Sequence, residues 1–507
     1  MKEESRSCAD IDVLLLGEGT YPYVRGGVSS WIHDLITGLP RINFGLVFLG
    51  ARRQDYTGLK YPLPDNLRHF ETHYLFDPSE RPRKNLIEGT KKVYTLVAGI
   101  HSTFRGREKM AIPDKVKNLD FYNKEVTFKH YLFSRRSWDF ISEQYSRHCP
   151  KMPFLDYFWT LRNIHSPIWV VAGIAQKLLK HGRVLHSPST GYAGLLGSLI
   201  HFQTGKPLIL TEHGIYTRER KIDILKAEWI VDTRTFLEKN AGEMNYIREL
   251  WIRFFETMGR IAYSAADEVI SLFEQARDIQ VAYGAAPGST RVVPNGIDFV
   301  RLNALVAARP ERVPKVIGLI GRVVSIKDIK TFIKAMRVTV NRLPEAQGWI
   351  IGPQEEDPEY TAECKMLAEA LNLEDNIKFT GFRKIEEVLP QLGAVTLTSV
   401  SEGMPLSVIE AFAAGVPAVL TDVGAARQLV EGGLDAEDTA IGKAGEVVGI
   451  SDPQALSLAY IRMLEDERHW KSCQTAAIER ARKYYTREKF LHAYGEIYEK
   501  AFAKWRA

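Results

Sequence analysis

The segment Ser401-Glu402-Gly403-Met404-Pro405-Leu406-Ser407-Val408-Ile409-Glu410 carries two carboxylates separated by seven residues around a Gly-Met-Pro turn. Carboxylates cannot hold phosphate, but they accept hydrogen bonds well from sugar hydroxyls. The turn opens a helix, and the first N–H groups and positive dipole end of a helix favour a diphosphate. Glu402 falls in the turn, and Glu410 falls about two turns into the expected helix. The local chemistry suggests a sugar, a ribose and a diphosphate held together. A bland reading fits this segment alone: an exposed glutamate beside an ordinary strand-to-helix turn.

Other segments offer complementary groups. Arg322 and Lys327 follow an apolar run and Gly321. An arginine fork and a lysine point charge at that spacing can converge on one phosphate. Gly26 and Gly27 precede an expected helix, so a second anion-facing turn is expected there. His213 ends the apolar run 207–210 in Thr211-Glu212-His213-Gly214, where open α/β sheets place ligand-binding residues. Arg218, Arg220 and Lys221 come next, as a basic loop or as the flank of an anionic acceptor. No G-x-G-x-x-G is present, which weakens a dinucleotide dehydrogenase.

The elements that must position these groups read as a parallel α/β pattern. Short apolar runs at 11–16, 44–49, 184–186, 207–210 and 266–271 predict buried strands in the first half. Runs at 316–320, 349–352, 377–381, 394–400, 418–424 and 445–448 repeat the pattern in the second half. The helix predicted over 244–263 carries apolar residues at i, i+3 and i+4, which suits packing against a core. The polar stretch after Arg291-Val292-Val293-Pro294-Asn295-Gly296 reads as a linker, placing a boundary near residue 300. From about 52 to 167 the alternation lapses, and a mostly helical insertion is expected.

Composition sets outer limits. The chain has 507 residues, too many for one core. Its net charge of +5 is too weak to argue for nucleic acid. Cys8, Cys149, Cys364 and Cys473 form no C-x-x-C pair and read as reduced thiols, with no zinc site. Met1 to Asp10 lacks an apolar signal region, and no run is long enough to span a bilayer, so a cytoplasmic protein is expected. Asp10-Ile11-Asp12 has a metal-binding pattern but precedes the first strand, so no metal ligand is expected.

Taken together, the motifs resemble those of retaining glycosyltransferases of the GT4 family. The resemblance implies a GT-B fold, two Rossmann-like doubly wound α/β domains facing across a cleft. It implies an acceptor domain over 1–300 with the insertion at about 52–167, a donor domain over 301–480, and a final helix over 481–507 crossing back. It gives Glu402 the donor-sugar hydroxyls and Glu410 the ribose. Arg322 and Lys327 neutralise the leaving diphosphate, and His213 lies beside the donor sugar. Gly26, Gly27, Asn295, Gly403, Met404, Pro405, Leu406 and Ser407 line the substrate, and Phe382 and Arg383 meet the base. No cofactor and no metal are implied, and the donor is a UDP-sugar. The wording of 18–31 is similar to glycosyltransferases of Pel-type exopolysaccharide systems. That implies a polysaccharide acceptor and an inner-membrane synthesis and export complex as partner. An epimerase of the same fold and a non-catalytic nucleotide-sugar-binding subunit are the competing readings.

Overall fold

The computed structural model describes residues 11–77, 80–84, 86–105, 112–150, 152–227, 230 and 245–506. Cys8 and Asp10 lie outside them. The chain divides into two compact units. Unit 1 comprises 1–271, 277–291 and 495–507, and unit 2 comprises 272–276 and 292–494.

Unit 1 is built on seven strands: β1 (Val13–Glu18), β2 (Phe44–Gly50), β3 (Leu67–Tyr74), β4 (Val184–Ser187), β5 (Leu208–Glu212), β6 (Glu268–Ser271) and β7 (Thr290–Val292). They lie in the order β3-β2-β1-β4-β5-β6-β7. The order reverses between β1 and β4, which pair in parallel. Such a switch point opens a crevice at the carboxyl ends of the strands. The central strands are buried along nearly their whole length, as their unbroken apolar runs require.

The helices that matter here are α1 (Gly27–Gly38), α2 (Lys91–Arg105), α3 (Arg135–His148), α4 (Phe154–Leu178), α5 (Tyr192–Thr204), α6 (Tyr216–Lys226) and α7 (Tyr246–Ala265). The expected amphipathic helix is α7, and Phe254 on its apolar face meets the Phe104 ring of α2 at 5.1 Å. That contact ties the helical layer to the core. The layer also buries His101 and His165, whose ring nitrogens meet at 3.1 Å.

Two expectations are corrected, and the segment 52–167 carries one strand among its helices: β3 lies inside it and pairs with β2 in parallel. Five of the eight residues of its sequence LRHFETHY are polar because it is an edge strand of mostly intermediate burial. The helix expected from Ile168 begins at Phe154 and carries Pro167 inside it. The basic segment after His213 is helix α6, where Arg220 pairs with Asp223 at 2.7 Å. Asp12 precedes β1; it accepts the Asn43 N–H at 3.0 Å and pairs with Arg183 at 3.3 Å.

Unit 2 has six strands: β8 (Val316–Ile320), β9 (Gln347–Ile351), β10 (Ile377–Gly381), β11 (Ala394–Leu397), β12 (Ala418–Thr421) and β13 (Gly445–Val448). Their order is β10-β9-β8-β11-β12-β13, and every adjacent pair is parallel. The switch point falls between β8 and β11. Helix α8 (Leu406–Ala413) follows β11, and α9 (Glu467–Tyr484) and α10 (Arg487–Arg506) close the chain.

Candidate active site

The chemistry in unit 2 gathers at its switch point. β8 leads into Gly321-Arg322 and on to Lys327, and β11 leads into Ser399 and Glu402. Because β8 and β11 are neighbours, residues 75 apart in sequence end side by side. Lys327 Nζ donates to Glu402 Oε1 at 2.5 Å, with both side chains largely buried at 17% and 14% exposure. Ser399, fully buried, donates its hydroxyl to the same oxygen at 2.5 Å. The Thr398 hydroxyl donates to the carbonyls of Lys327 and Asp328 at 2.9 and 3.0 Å. The Val400 N–H donates to Ile326 O at 3.0 Å. The two loops are thus stitched together by backbone and side chain.

Arg322 and Lys327 share no partner among the described residues: the Arg322 guanidinium is exposed and pairs with Glu356 at 2.5 Å. The Lys327 stem instead lies over Gly321, where an added Cβ would meet Lys327 Cε at 3.5 Å.

The turn between Glu402 and α8 is held from two sides. Asn295 is buried and donates its amide Nδ2 to Met404 O at 3.2 Å, and its backbone N–H to Met404 Sδ at 3.4 Å. Gly424 packs against the other side: an added Cβ would meet the Glu402 and Gly403 carbonyl oxygens at 2.4 Å. Its φ of +55 also favours glycine. Asn295 thereby braces the turn at the buried Met404, while its own Oδ1 is buried without a hydrogen-bond partner among the described residues.

Helix α8 starts at Leu406 with Pro405 as its N-cap and no side-chain cap. Proline has no N–H to lose, and the first N–H groups of Leu406 and Ser407 have no intrahelical acceptor. Glu410 is the fifth residue of this helix, so it stands little more than one turn in where two were expected, and it is half-buried. At the end of β10, Gly381 takes a positive φ of 66, and Phe382 follows with 68% exposure. Arg383 pairs with Glu387 at 3.0 Å.

Unit 1 carries the remaining expected residues. Gly26 and Gly27 form the N-cap and first residue of α1 after β1. A Cβ at either would meet nothing within 4 Å, and the φ of 166 at Gly26 is ordinary extended backbone. Nothing in the described fold demands glycine there. His213 follows β5, with its ring edge-on to Trp31 at 4.7 Å. Burial pushes its imidazole down to about 3, so it is neutral at physiological pH. Its Nε2 is buried without a hydrogen-bond partner among the described residues.

Two carboxylates in unit 1 escaped the sequence reading. Glu212, buried, accepts from Tyr263 Oη at 2.5 Å, Thr190 Oγ1 at 2.9 Å, Gln280 Nε2 at 3.0 Å and Tyr216 N at 3.3 Å. Glu18 at the end of β1 accepts from Ala193 N and Tyr216 Oη, both at 3.0 Å. Burial raises both carboxyl groups above the ordinary range. A charged residue ending an apolar strand was the available signal. Ser399 had a similar one, a small polar residue three before Glu402.

Among the described residues no group of three or more His, Cys, Asp or Glu is placed to hold a metal ion. Cys149, Cys364 and Cys473 are buried free thiols.

Comparison with known proteins bears on this geometry. Residues 11–288 match the family described as a domain of unknown function, DUF3492. Residues 307–484, which hold the Lys327–Glu402 pair, match glycosyl transferases group 1. The chain is 26% identical over 305 residues to the MMP alpha-(1->4)-mannosyltransferase of Mycolicibacterium hassiacum, covering 59% of this chain and 67% of that protein. It is 28% identical over 218 residues to the lipopolysaccharide core biosynthesis mannosyltransferase LpsB of Rhizobium meliloti, covering 41% and 60%. The chain thus spans about half to two thirds of the length of the curated relatives it matches. Among solved structures it is similar to Anabaena HepE in complex with UDP and glucose, with a TM-score of 0.59, 15% identity and coverage of 96% and 99%. Sucrose-phosphate synthase of Thermosynechococcus elongatus gives 0.58, 16%, 97% and 100%. These likenesses establish the GT-B fold. The chain belongs to the family described as a domain of unknown function, DUF3492, carries a glycosyl transferases group 1 domain after it, and is a glycosyltransferase.

Proposed function

We propose that the chain is a retaining, metal-independent glycosyltransferase. It moves a hexosyl or N-acetylhexosaminyl unit from a UDP-sugar to a growing Pel-type exopolysaccharide. The observation that carries this reading is the Lys327–Glu402 pair beside the uncapped start of α8, at the switch point of the unit 2 sheet. A cation, a carboxylate and N–H groups without helical acceptors meet where open α/β sheets bind ligands. Anabaena HepE, which has the same fold and was solved in complex with UDP and glucose, supports the choice of donor.

In this reading the donor diphosphate takes Lys327 from Glu402, which frees that carboxylate for the sugar hydroxyls. The bond from the anomeric carbon to the diphosphate oxygen breaks as an acceptor hydroxyl oxygen bonds that carbon and gives its proton to the departing diphosphate, on which negative charge grows. Lys327, Arg322 and the N–H groups of Leu406 and Ser407 meet that charge, and a preorganised donor set of this kind lowers the barrier. These groups do the work a divalent cation would otherwise do. Glu410 takes the ribose, and exposed Phe382 with Arg383 takes the base. In unit 1, neutral His213 and the open backbone at Gly26 and Gly27 serve as substrate-binding groups as well. Asn295 and Met404 keep the 403–407 turn in place.

The acceptor sets the setting. A polysaccharide exported from the cell implies a cytoplasmic enzyme working with an inner-membrane synthesis and export complex. No helix among the described residues is long and apolar enough to cross a membrane.

Titration calorimetry against a panel of nucleotide sugars, followed by product analysis with EDTA present, tests the reading. Tight binding of one UDP-sugar and transfer that survives chelation are expected. Release of free sugar alone, epimerisation, or loss of transfer on chelation would overturn it.

A further inference from the structure

The helical layer of unit 1 exposes large apolar side chains in one place. On α4, Leu155 is 65% exposed and Trp159 is 50% exposed. They stand four residues apart, hence on one face. On α3, Trp138 is also 50% exposed, and its ring lies 5.5 Å from those of Phe154 and Phe158. Phe158 in turn meets Trp159 at 5.3 Å. Two tryptophans and a leucine thus share one aromatic floor while half or more of each faces outward. Scattered exposed apolar residues need no explanation, but a contiguous aromatic patch does.

Cations crowd the same face. Arg162 lies over the Phe158 ring at 4.6 Å. Burial, and after it the neighbouring charge of Arg81, holds its guanidinium below the ordinary value. Arg81, Arg83 and Lys84 are exposed, and Ile87 close after them in sequence donates its N–H to Phe133 O at 3.2 Å and accepts the Arg135 N–H of α3 at 2.9 Å. Among the described residues Arg81, Arg83, Lys84 and Arg135 have no carboxylate partner. Asp139 on α3 pairs with Arg136 at 3.6 Å. Like charges beside exposed tryptophan are an arrangement that an external anionic, partly apolar surface relieves.

We propose that this face docks directly on a bilayer of anionic phospholipid. Tryptophan rings suit the boundary between headgroup and acyl chain, and arginines and lysines around them meet the phosphates. The contact is peripheral and separate from the donor site, so it stands whether or not the donor is a UDP-sugar.

Co-sedimentation of the purified full chain with vesicles tests it, comparing phosphatidylcholine alone with phosphatidylcholine plus phosphatidylglycerol. The protein is expected to pellet with the anionic vesicles, to release at high salt, and to show tryptophan quenching by doxyl-labelled lipid. Trp138→Ala with Trp159→Ala is expected to abolish pelleting, with the far-ultraviolet circular dichroism of the folded protein retained. Removing Arg81, Arg83 and Lys84 by alanine substitution is expected to weaken it about fivefold for each cation. Four results would overturn the proposal: no pelleting or quenching with wild type, equal pelleting on neutral vesicles, variants that bind like wild type, or a concentration-dependent dimer that Leu155→Asp dissolves, which would assign the face to a second copy.

Discussion

Lys327 Nζ and Glu402 Oε1 stand 2.5 Å apart, each brought there by a different strand of one parallel sheet. Each neutralises the other in a largely buried setting, so removing one leaves the other charged and poorly solvated. Lys327→Ala or Glu402→Ala is expected to lower kcat by about a hundredfold to a thousandfold, in the range of losing one electrostatic donor. Each single variant should also lose about 1–3 kcal/mol of stability, and the double variant less than the sum. A denaturation double-mutant cycle with steady-state rates reads both. Wild-type turnover in either single variant would count against the assignment.

Gly26 and Gly27 make the opposite kind of test. An added Cβ meets nothing within 4 Å at either, so the fold has no need of glycine there. Gly27→Ala at the start of α1 should leave the melting temperature unchanged or slightly raised, because alanine is the better helix former. If a ligand approaches that backbone, KM should rise several-fold. Unchanged kinetics would remove these glycines from the substrate-lining set.

Asn295 is expected to act through the turn it holds. Asn295→Ala removes the amide donor to Met404 O and should cost about 1–3 kcal/mol. The loosened 403–407 turn should raise KM for the donor more than it lowers kcat. A variant that loses kcat alone would show that Asn295 touches the reacting groups.

Buried histidines set an acid sensitivity. Burial lowers His165, His186 and His213 to about 3, whereas an unfolded histidine titrates near 6.5. Between those values the unfolded chain binds more protons than the folded one. Stability is therefore full above about pH 6.5 and falls as pH drops towards 3. Each histidine contributes a slope of up to about 1.4 kcal/mol per pH unit. His186→Gln should flatten the dependence of urea stability on pH between 6.5 and 4.5. An unchanged slope would mean that His186 is not held neutral.

Much of unit 2 was legible from sequence because parallel strands buried on both faces leave unbroken apolar runs. Polar residues at the ends of such runs then point to the crevice, which is how Lys327, Glu402 and His213 stood out. The edge strand β3 was hidden because one side of it faces no partner strand, so its sequence alternates weakly and keeps charges. Partnerships between loops distant in sequence were hidden too. Ser399 beneath Glu402, Asn295 beneath Met404 and the turn of Arg322 towards Glu356 depend on which strands neighbour each other, which local pattern does not encode. Glu212 was passed over because a single glutamate at a strand end gives no hint of four converging donors.

Hydrogen–deuterium exchange of the full chain with and without UDP tests the central claim most directly. The account predicts slowed exchange in residues 321–328 and 402–410, lost when Lys327 is replaced by alanine. Protection confined to other segments, or none at saturating UDP, would contradict it.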